Sequence, residues 1–205
     1  MAISAVIFDI GNVLIRWQPE LYYDALIGEE RRRAMFDAVD LHAMNEGLDA
    51  GEPFRKQVYD CAEAHPEFAA EIRHWHDNWT SLAAPAIDGS VSILMALRDA
   101  GVPVFFLSNI GMGPFEQGLE VYPFLREYDR AYISGEMKAV KPYEDIYRMV
   151  EEDCGLAPST LLFADDREDN IATAAARGWQ THVFKHPEGW QDCLLKHGVL
   201  QAPVI

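Results

Sequence analysis

Ala5-Val6-Ile7-Phe8-Asp9-Ile10-Gly11-Asn12 opens with four apolar residues in a row and then turns abruptly polar. Four consecutive apolar side chains do not alternate, so a strand built from them buries both faces, as strands do in a parallel sheet covered by helices. Four more short runs repeat the pattern: Val102 to Leu107, Ala131 to Ile133, Leu161 to Ala164 and Thr181 to Phe184. Between them lie helical stripes, each closed by a glycine where a C-terminal cap belongs. Ile93, Leu94 and Leu97 lead to Gly101; Tyr143, Ile146, Tyr147 and Val150 lead to Gly155; Ile171, Ala174 and Ala175 lead to Gly178. Strands alternating with capped helices predict an α/β fold with a parallel sheet and helices on both faces.

Residues 17–84 break the rhythm. They are rich in Ala, Glu, Arg, His and Tyr and contain no convincing strand. Lying between the first and second sheet strands, the segment must leave the sheet and return, which predicts an inserted small helical cap domain on a core made of residues 1–16 and 85–205. The tail after Phe184 reads as a short helix and edge segment.

The 205 residues are 49% hydrophobic and 11% aromatic, enough to build a core of this size, so disorder is a poor reading. Seventeen basic against thirty-three acidic residues leave a net charge of −16, which repels nucleic acid and anionic membrane. Phosphate-bearing ligands must therefore be drawn by a local site. Cys61, Cys154 and Cys193 lie far apart with no metal-binding spacing, which fits a reducing compartment. With no signal-like start and no apolar run of spanning length, the expected location is the cytoplasm.

Chemistry-bearing residues collect at the carboxyl ends of the expected strands: Asp9, Ser108 with Asn109, Lys141, and the pair Asp165-Asp166. In an open parallel sheet those ends form one crevice. Three carboxylates, a hydroxyl, an amide and one ammonium suit a divalent cation together with a phosphate, because hard Mg²⁺ takes oxygen ligands while lysine and backbone N–H groups take phosphate oxygens.

Phe8-Asp9-Ile10-Gly11-Asn12-Val13-Leu14, Leu107-Ser108-Asn109, Lys141-Pro142 and Phe163-Ala164-Asp165-Asp166-Arg167 resemble, in order and spacing, the four motifs of the haloacid dehalogenase-like hydrolase superfamily. Asn45-Glu46-Gly47 and Gly135-Glu136-Met137 are most similar to its bacterial sugar-phosphate branch, which includes alpha-D-glucose-1-phosphate phosphatase. The resemblance implies a Rossmann-like core and a Mg²⁺-dependent phosphatase acting on a small phosphorylated metabolite, as a monomer or homodimer. Asp9 would attack phosphorus and become an aspartyl-phosphate, Ser108 and the backbone of Asn109 would hold the phosphoryl group, and Lys141 would neutralise charge. The metal would be held by Asp9, the Gly11 carbonyl and Asp166, with Asp165 acting mainly through a water.

One position departs from that pattern. Most phosphatases of the superfamily carry a second aspartate two residues after the nucleophile as general acid and base, and here that position is Gly11. Its loss predicts a preference for leaving groups that need little protonation, such as anomeric, acyl or aryl phosphates, unless another group takes over. A haloacid dehalogenase, which needs no such acid, is a rival reading, but an acidic pair without a cation argues against it. A signalling receiver would place its acidic pair early in the chain rather than late. An inactive phospho-ligand-binding relative is the third alternative.

Other residues in the insert carry less. Trp17 either overhangs the crevice as a substrate contact or packs the hinge. His74 and His76 fall on different helical faces, which opposes a paired metal site. Trp75 and Trp79 share a face expected in the cap core, and Arg31-Arg32-Arg33 reads as a solvated helix face.

Overall fold

The structure, a computed structural model, describes residues 2–205. In chain order it comprises β1 (Ala5–Phe8), β2 (Ile15–Trp17), α1 (Pro19–Ile27), α2 (Glu29–Ala38), α3 (Leu41–Asp49), α4 (Phe54–Ala64), α5 (Ala69–Asp77), α6 (Trp79–Leu82) and β3 (Ala83–Ala86). It continues with α7 (Asp88–Asp99), β4 (Val104–Ser108), α8 (Met112–Val121), β5 (Arg130–Ile133), α9 (Ser134–Met137), α10 (Glu144–Cys154), β6 (Leu161–Asp165), α11 (Glu168–Ala176), β7 (Gln180–Val183) and α12 (Pro187–Lys196). Five strands form one parallel sheet in the order β5-β4-β1-β6-β7, with β1 in the middle. All five expected strands are present, β1 with the expected bounds and the other four with ends moved by one or two residues.

Strand alternation divides the core in two. Val6, Phe8, Val104, Phe106, Leu162 and Ala164 face α7 and α12, where Trp190 meets Phe8 edge-on at 5.6 Å. Ala5, Ile7, Phe105, Leu107, Leu161 and Phe163 face α10 and α11. Both faces being covered explains why these strands read as unbroken apolar runs. Helix α10 ends at Gly155 in the left-handed region with φ 66°, where a side chain would be strained, and Gly101 and Gly178 also have positive φ.

The segment between β2 and β3 is helical throughout, α1 to α6. Its buried residues, among them Tyr23, Met35, Leu48, Ile72 and Trp75, belong to the same continuous apolar cluster as the first face of the sheet. One expectation is corrected here. Trp17 and Ala83-Ala84 are not strand-free, because β2 and β3 pair antiparallel with Ile15 opposite Ala86 and Trp17 opposite Ala83. Strands of three and four residues, one holding Pro85, are too short to show a period of two. This ribbon ties the two ends of the helical insert together beside Asp9. No described helix is long and apolar enough to cross a membrane.

Candidate active site

Asp9 leaves β1 at the middle of the sheet, its N–H donating to the Ala164 carbonyl of β6 at 3.0 Å. Ser108 ends β4, and Asp165 ends β6 with Asp166 just beyond. Lys141 arrives from the loop before α10 and is buried. Its Nζ lies 2.6 Å from Asp165 Oδ2 and 3.1 Å from Asp9 Oδ1, and donates to the Leu107 carbonyl at 2.9 Å. Asn109 holds the lysine backbone in a reciprocal pair: its Nδ2 donates to the Lys141 carbonyl, and its Oδ1 accepts from the Lys141 N–H, both at 2.8 Å. Residues separated by 132 positions, from Asp9 to Lys141, thus share one buried ion network.

Each carboxylate has a distinct environment. Both oxygens of Asp165 accept from Asn170 Nδ2 at 3.0 Å, Oδ1 also accepts from the Arg167 N–H at 2.8 Å, and Oδ2 meets Lys141. Asp165 is fully buried and its lone pairs are largely taken within the protein. Asp166 is less enclosed, and one oxygen accepts from Asn12 Nδ2 at 3.1 Å. Asn12 has left-handed backbone, φ 54°, and its Oδ1 accepts from the Trp17 N–H at 3.0 Å, joining the acidic site to the ribbon. Asp9 accepts from the Ile10 N–H at 2.7 Å.

Burial pushes Asp9 up to about 7; Lys141 pulls it down, Asp165 and Asp166 push it further up, and Ser108 pulls it down. Burial alone would lower Lys141, but the carboxylates of Asp165 and Asp9 hold it above its ordinary value, so it stays an ammonium. Burial and then Asp165 raise Asp166. Asp9 and Asp166, each raised by burial and by the neighbouring Asp165 charge, form with Asp165 a donor set whose repulsion a divalent cation would relieve. One ligand atom each from Asp9, Asp165 and Asp166 lies within 4.8 Å of the others, the one acidic, thiol or imidazole cluster of this kind among the described residues. Hard oxygen donors of this type fit Mg²⁺.

The crevice opens into a cavity of about 630 Å³ between the strand ends and the insert. Its floor holds Asp9, Gly11, Ser108, Lys141 and Asp166, and Asn109 lines it too, so of the strand-end residues expected at the site only Asp165, which lies behind Lys141, is not on its wall. Trp17 lines the cavity and also packs against Trp75 and Trp79 at 5.6 and 6.1 Å. Trp75 is core, whereas Trp79 is core and cavity wall together. His74 and His76 have separate partners, Tyr22 with Asn78 and Asp77 respectively.

Sequence reasoning missed Asn12, Asn170 and, from α3 in the insert, Asp49. Asn12 stands within the first motif and Asn170 three residues beyond the fourth, so both could have been found as polar neighbours of the acidic residues. Asp49 follows Asn45-Glu46-Gly47 by two residues, and only the fold shows that it reaches the cavity.

Residues 3–178 match the haloacid dehalogenase-like hydrolase family. The chain is 23% identical to D-ribitol-5-phosphate phosphatase of Bacteroides thetaiotaomicron over 93% of its own length and 96% of that protein's. It is 23% identical to the sesquiterpene phosphatase AstK of Aspergillus oryzae, over 85% and 86% of the two chains. Its fold is similar, with a TM-score of 0.73 and 23% identity, to that of a haloacid dehalogenase family enzyme of Bacteroides thetaiotaomicron solved with magnesium and inorganic phosphate. That match covers 94% of this chain and 99% of the other. With the family match spanning most of the chain and the strand-end residues converging as the four motifs require, the chain belongs to the haloacid dehalogenase-like hydrolases.

Proposed function

We propose that this hydrolase is a Mg²⁺-dependent phosphomonoesterase acting on a small phosphorylated metabolite of sugar-phosphate size, with residues 17–84 serving as a cap over the crevice. The observation that carries the reading is the buried Lys141 ammonium between Asp9 and Asp165, with Asp166 alongside, on the floor of a cavity of about 630 Å³. Phosphatases among the relatives and a magnesium-and-phosphate complex among the similar structures support it. Three free thiols accord with the cytoplasm.

Asp9 is the nucleophile. A carboxylate oxygen forms a bond to phosphorus as the ester oxygen leaves, giving an aspartyl-phosphate that water then hydrolyses, so one difficult displacement becomes two easier ones. Lys141 offsets negative charge on the phosphoryl oxygens and remains oriented by Asp165, while the Ser108 hydroxyl and the Asn109 N–H hold those oxygens in line. Asp9, Asp166 and the Gly11 carbonyl would hold the metal, with Asp165 behind; when bound it supplies charge neutralisation to the phosphate. A dehalogenase would gain nothing from three carboxylates within 4.8 Å of one another.

The deciding experiment is Asp9→Asn. Phosphate release from 4-nitrophenyl phosphate and a panel of sugar phosphates should fall below detection while the melting temperature is retained. Chelation of the wild-type protein should abolish release, and added Mg²⁺ should restore it. Undiminished turnover in the variant would remove Asp9 from its role.

A further inference from the structure

Hydrolysing an alkyl phosphate requires a proton for the departing oxygen, and Gly11 has no side chain to supply one. A Cβ placed there meets nothing within 4 Å, so the usual position for such an acid is open space. Across the cavity the wall is α3, and Asp49 at its C-terminal end faces the chamber that Asp9, Gly11 and Ser108 floor.

Asp49 is held rather than loose. Asn45 Nδ2 donates to Asp49 Oδ2 at 3.1 Å, and Asn45 Oδ1 accepts from Trp75 Nε1 at 3.2 Å, so a buried tryptophan orients the amide that orients the carboxyl. The Asp49 carbonyl accepts from Ser134 Oγ at 2.6 Å, and that hydroxyl also accepts from the Ile110 N–H. Where the end of α3 presses on the loop after Ser108, a Cβ at Gly111 would sit 2.9 Å from the Leu48 carbonyl. A glycine is therefore needed for helix and loop to approach this closely. Seen together, these contacts clamp the end of the insert helix onto the strand-end loop that holds the phosphoryl group.

The electrostatics favour the acid form. Burial raises the Asp49 carboxyl well above the ordinary range, the Asp9 charge raises it further, and Glu46 adds to this, against lowering by Lys141 and the Gly111 N–H. Asp49 thus lies within the fields of both the nucleophile and the catalytic lysine. Glu46 also lines the cavity but is exposed, and His42, likewise exposed, is engaged with Glu20.

We propose that Asp49 is the general acid and base of this enzyme, supplied from the insert in place of the residue missing at Gly11. The inference rests on the phosphatase reading above. In the first step an Asp9 oxygen bonds to phosphorus, the phosphorus–ester oxygen bond breaks, and the Asp49 carboxyl gives its proton to that oxygen, releasing a neutral alcohol and leaving a carboxylate. In the second, the Asp49 carboxylate takes a proton from water as the water oxygen bonds to phosphorus and the acyl-phosphate bond breaks. Inorganic phosphate leaves, Asp9 is again a carboxylate and Asp49 is again an acid.

The test uses substituted phenyl phosphates, which hold shape nearly constant while leaving-group acidity changes, in single turnovers of the Mg²⁺-loaded protein. Asp49→Asn should slow release of 4-methoxyphenol by ~10² or more and of 4-nitrophenol by less than ~10, because a good leaving group needs little protonation. Mixed with excess 4-nitrophenyl phosphate, the same variant should give a burst of one nitrophenolate per enzyme, since the phospho-enzyme waits for its base. Adding Gly11→Asp should restore the shallow dependence. Asn45→Ala, which frees the carboxyl without deleting it, should show the same order of losses at about ten-fold, and it serves if Asp49→Asn does not fold. Equal losses across the series, or unchanged slopes in both variants, would overturn the assignment while leaving the phosphatase reading intact. Absence of phosphate release by the wild-type protein from every member would overturn both.

Discussion

At the carboxyl edge of the sheet a buried lysine sits between two carboxylates, whereas the insert facing it is held by rings. Trp17 packs on Trp75 and Trp79, Tyr23 stacks on Trp75, and Phe36 closes against both Tyr23 and Trp75. The two regions are stabilised by different physics. Aromatic packing gains from buried area and tolerates exchange of one apolar side chain for another of similar volume. A buried ion network costs desolvation and is stable only while every charge keeps its partner. Chemistry therefore leaves its mark at the strand ends as fixed residue types at fixed places, while the insert needs only rings in roughly the right positions.

The largest stability effect expected from breaking this contrast is at Lys141. Lys141→Met removes the ammonium and leaves Asp9 and Asp165 facing each other in a buried site, which should cost about 3–5 kcal/mol in denaturant unfolding. Phosphate release should disappear as well. Asp165→Asn keeps the shape and the contact with Asn170 and should cost less, because Lys141 retains Asp9 and the Leu107 carbonyl. If Lys141→Met were as stable as wild type, the ammonium would not be what holds the two buried carboxylates in place.

Asn12 sharpens the comparison because it touches both regions, donating to Asp166 and accepting from the backbone of Trp17. Asn12→Gly keeps the left-handed backbone and deletes both contacts. Loss of a partner that orients a metal ligand typically costs 10–100-fold in affinity, so calorimetric titration with Mg²⁺ should show a weakening of roughly that size. Asn12→Ala should add a stability loss of about 1–2 kcal/mol, because a residue with a Cβ and no local hydrogen bond is strained at φ 54°. Equal Mg²⁺ affinity in wild type and Asn12→Gly would mean that Asp166 needs no support.

Legibility in the sequence follows the same division. The five sheet strands could be read because burial on both faces leaves an apolar run needing no partner to interpret it, and three helix ends could be read because their glycines stand at positive φ. Asp9, Ser108, Lys141 and Asp165-Asp166 could be placed together because strand ends in a parallel sheet converge whatever the loops between them do. The β2–β3 ribbon was hidden by its shortness and by Pro85. Asp49 was hidden for a deeper reason: it sits on a helix of the insert, forty residues from Asp9, and no periodicity says which helix end will lean over the crevice.

The smallest effects concern Arg31-Arg32-Arg33, whose reading as a solvated face the structure resolves into three different situations. Arg33 pairs with Glu29 one turn earlier, and both side chains are more than 60% exposed. Arg32 makes two bonds to Asp24 of α1, at 2.8 and 3.2 Å. Arg31 reaches 40 residues along the chain to Glu71 at 2.6 Å, donates to the Glu67 carbonyl at 3.0 Å, and lies over the Phe68 ring at 5.0 Å. Water and salt compete freely for an exposed helical pair, so Arg33→Ala should move the melting temperature by no more than about 1 °C. Even that difference should vanish in 1 M salt, where screening reaches within roughly 3 Å. Arg31→Ala loses a bond to a backbone carbonyl and a ring contact as well as a charge pair, and neither of the first two depends on long-range attraction. Its melting temperature should fall by roughly 2–4 °C and stay depressed in 1 M salt. Scanning calorimetry of the two variants at low and high salt separates these outcomes. Identical, salt-erased shifts would show that the arginines of α2 add only screened surface charge, and that apolar and ring packing through Met35 and Phe36 holds this helix in the insert.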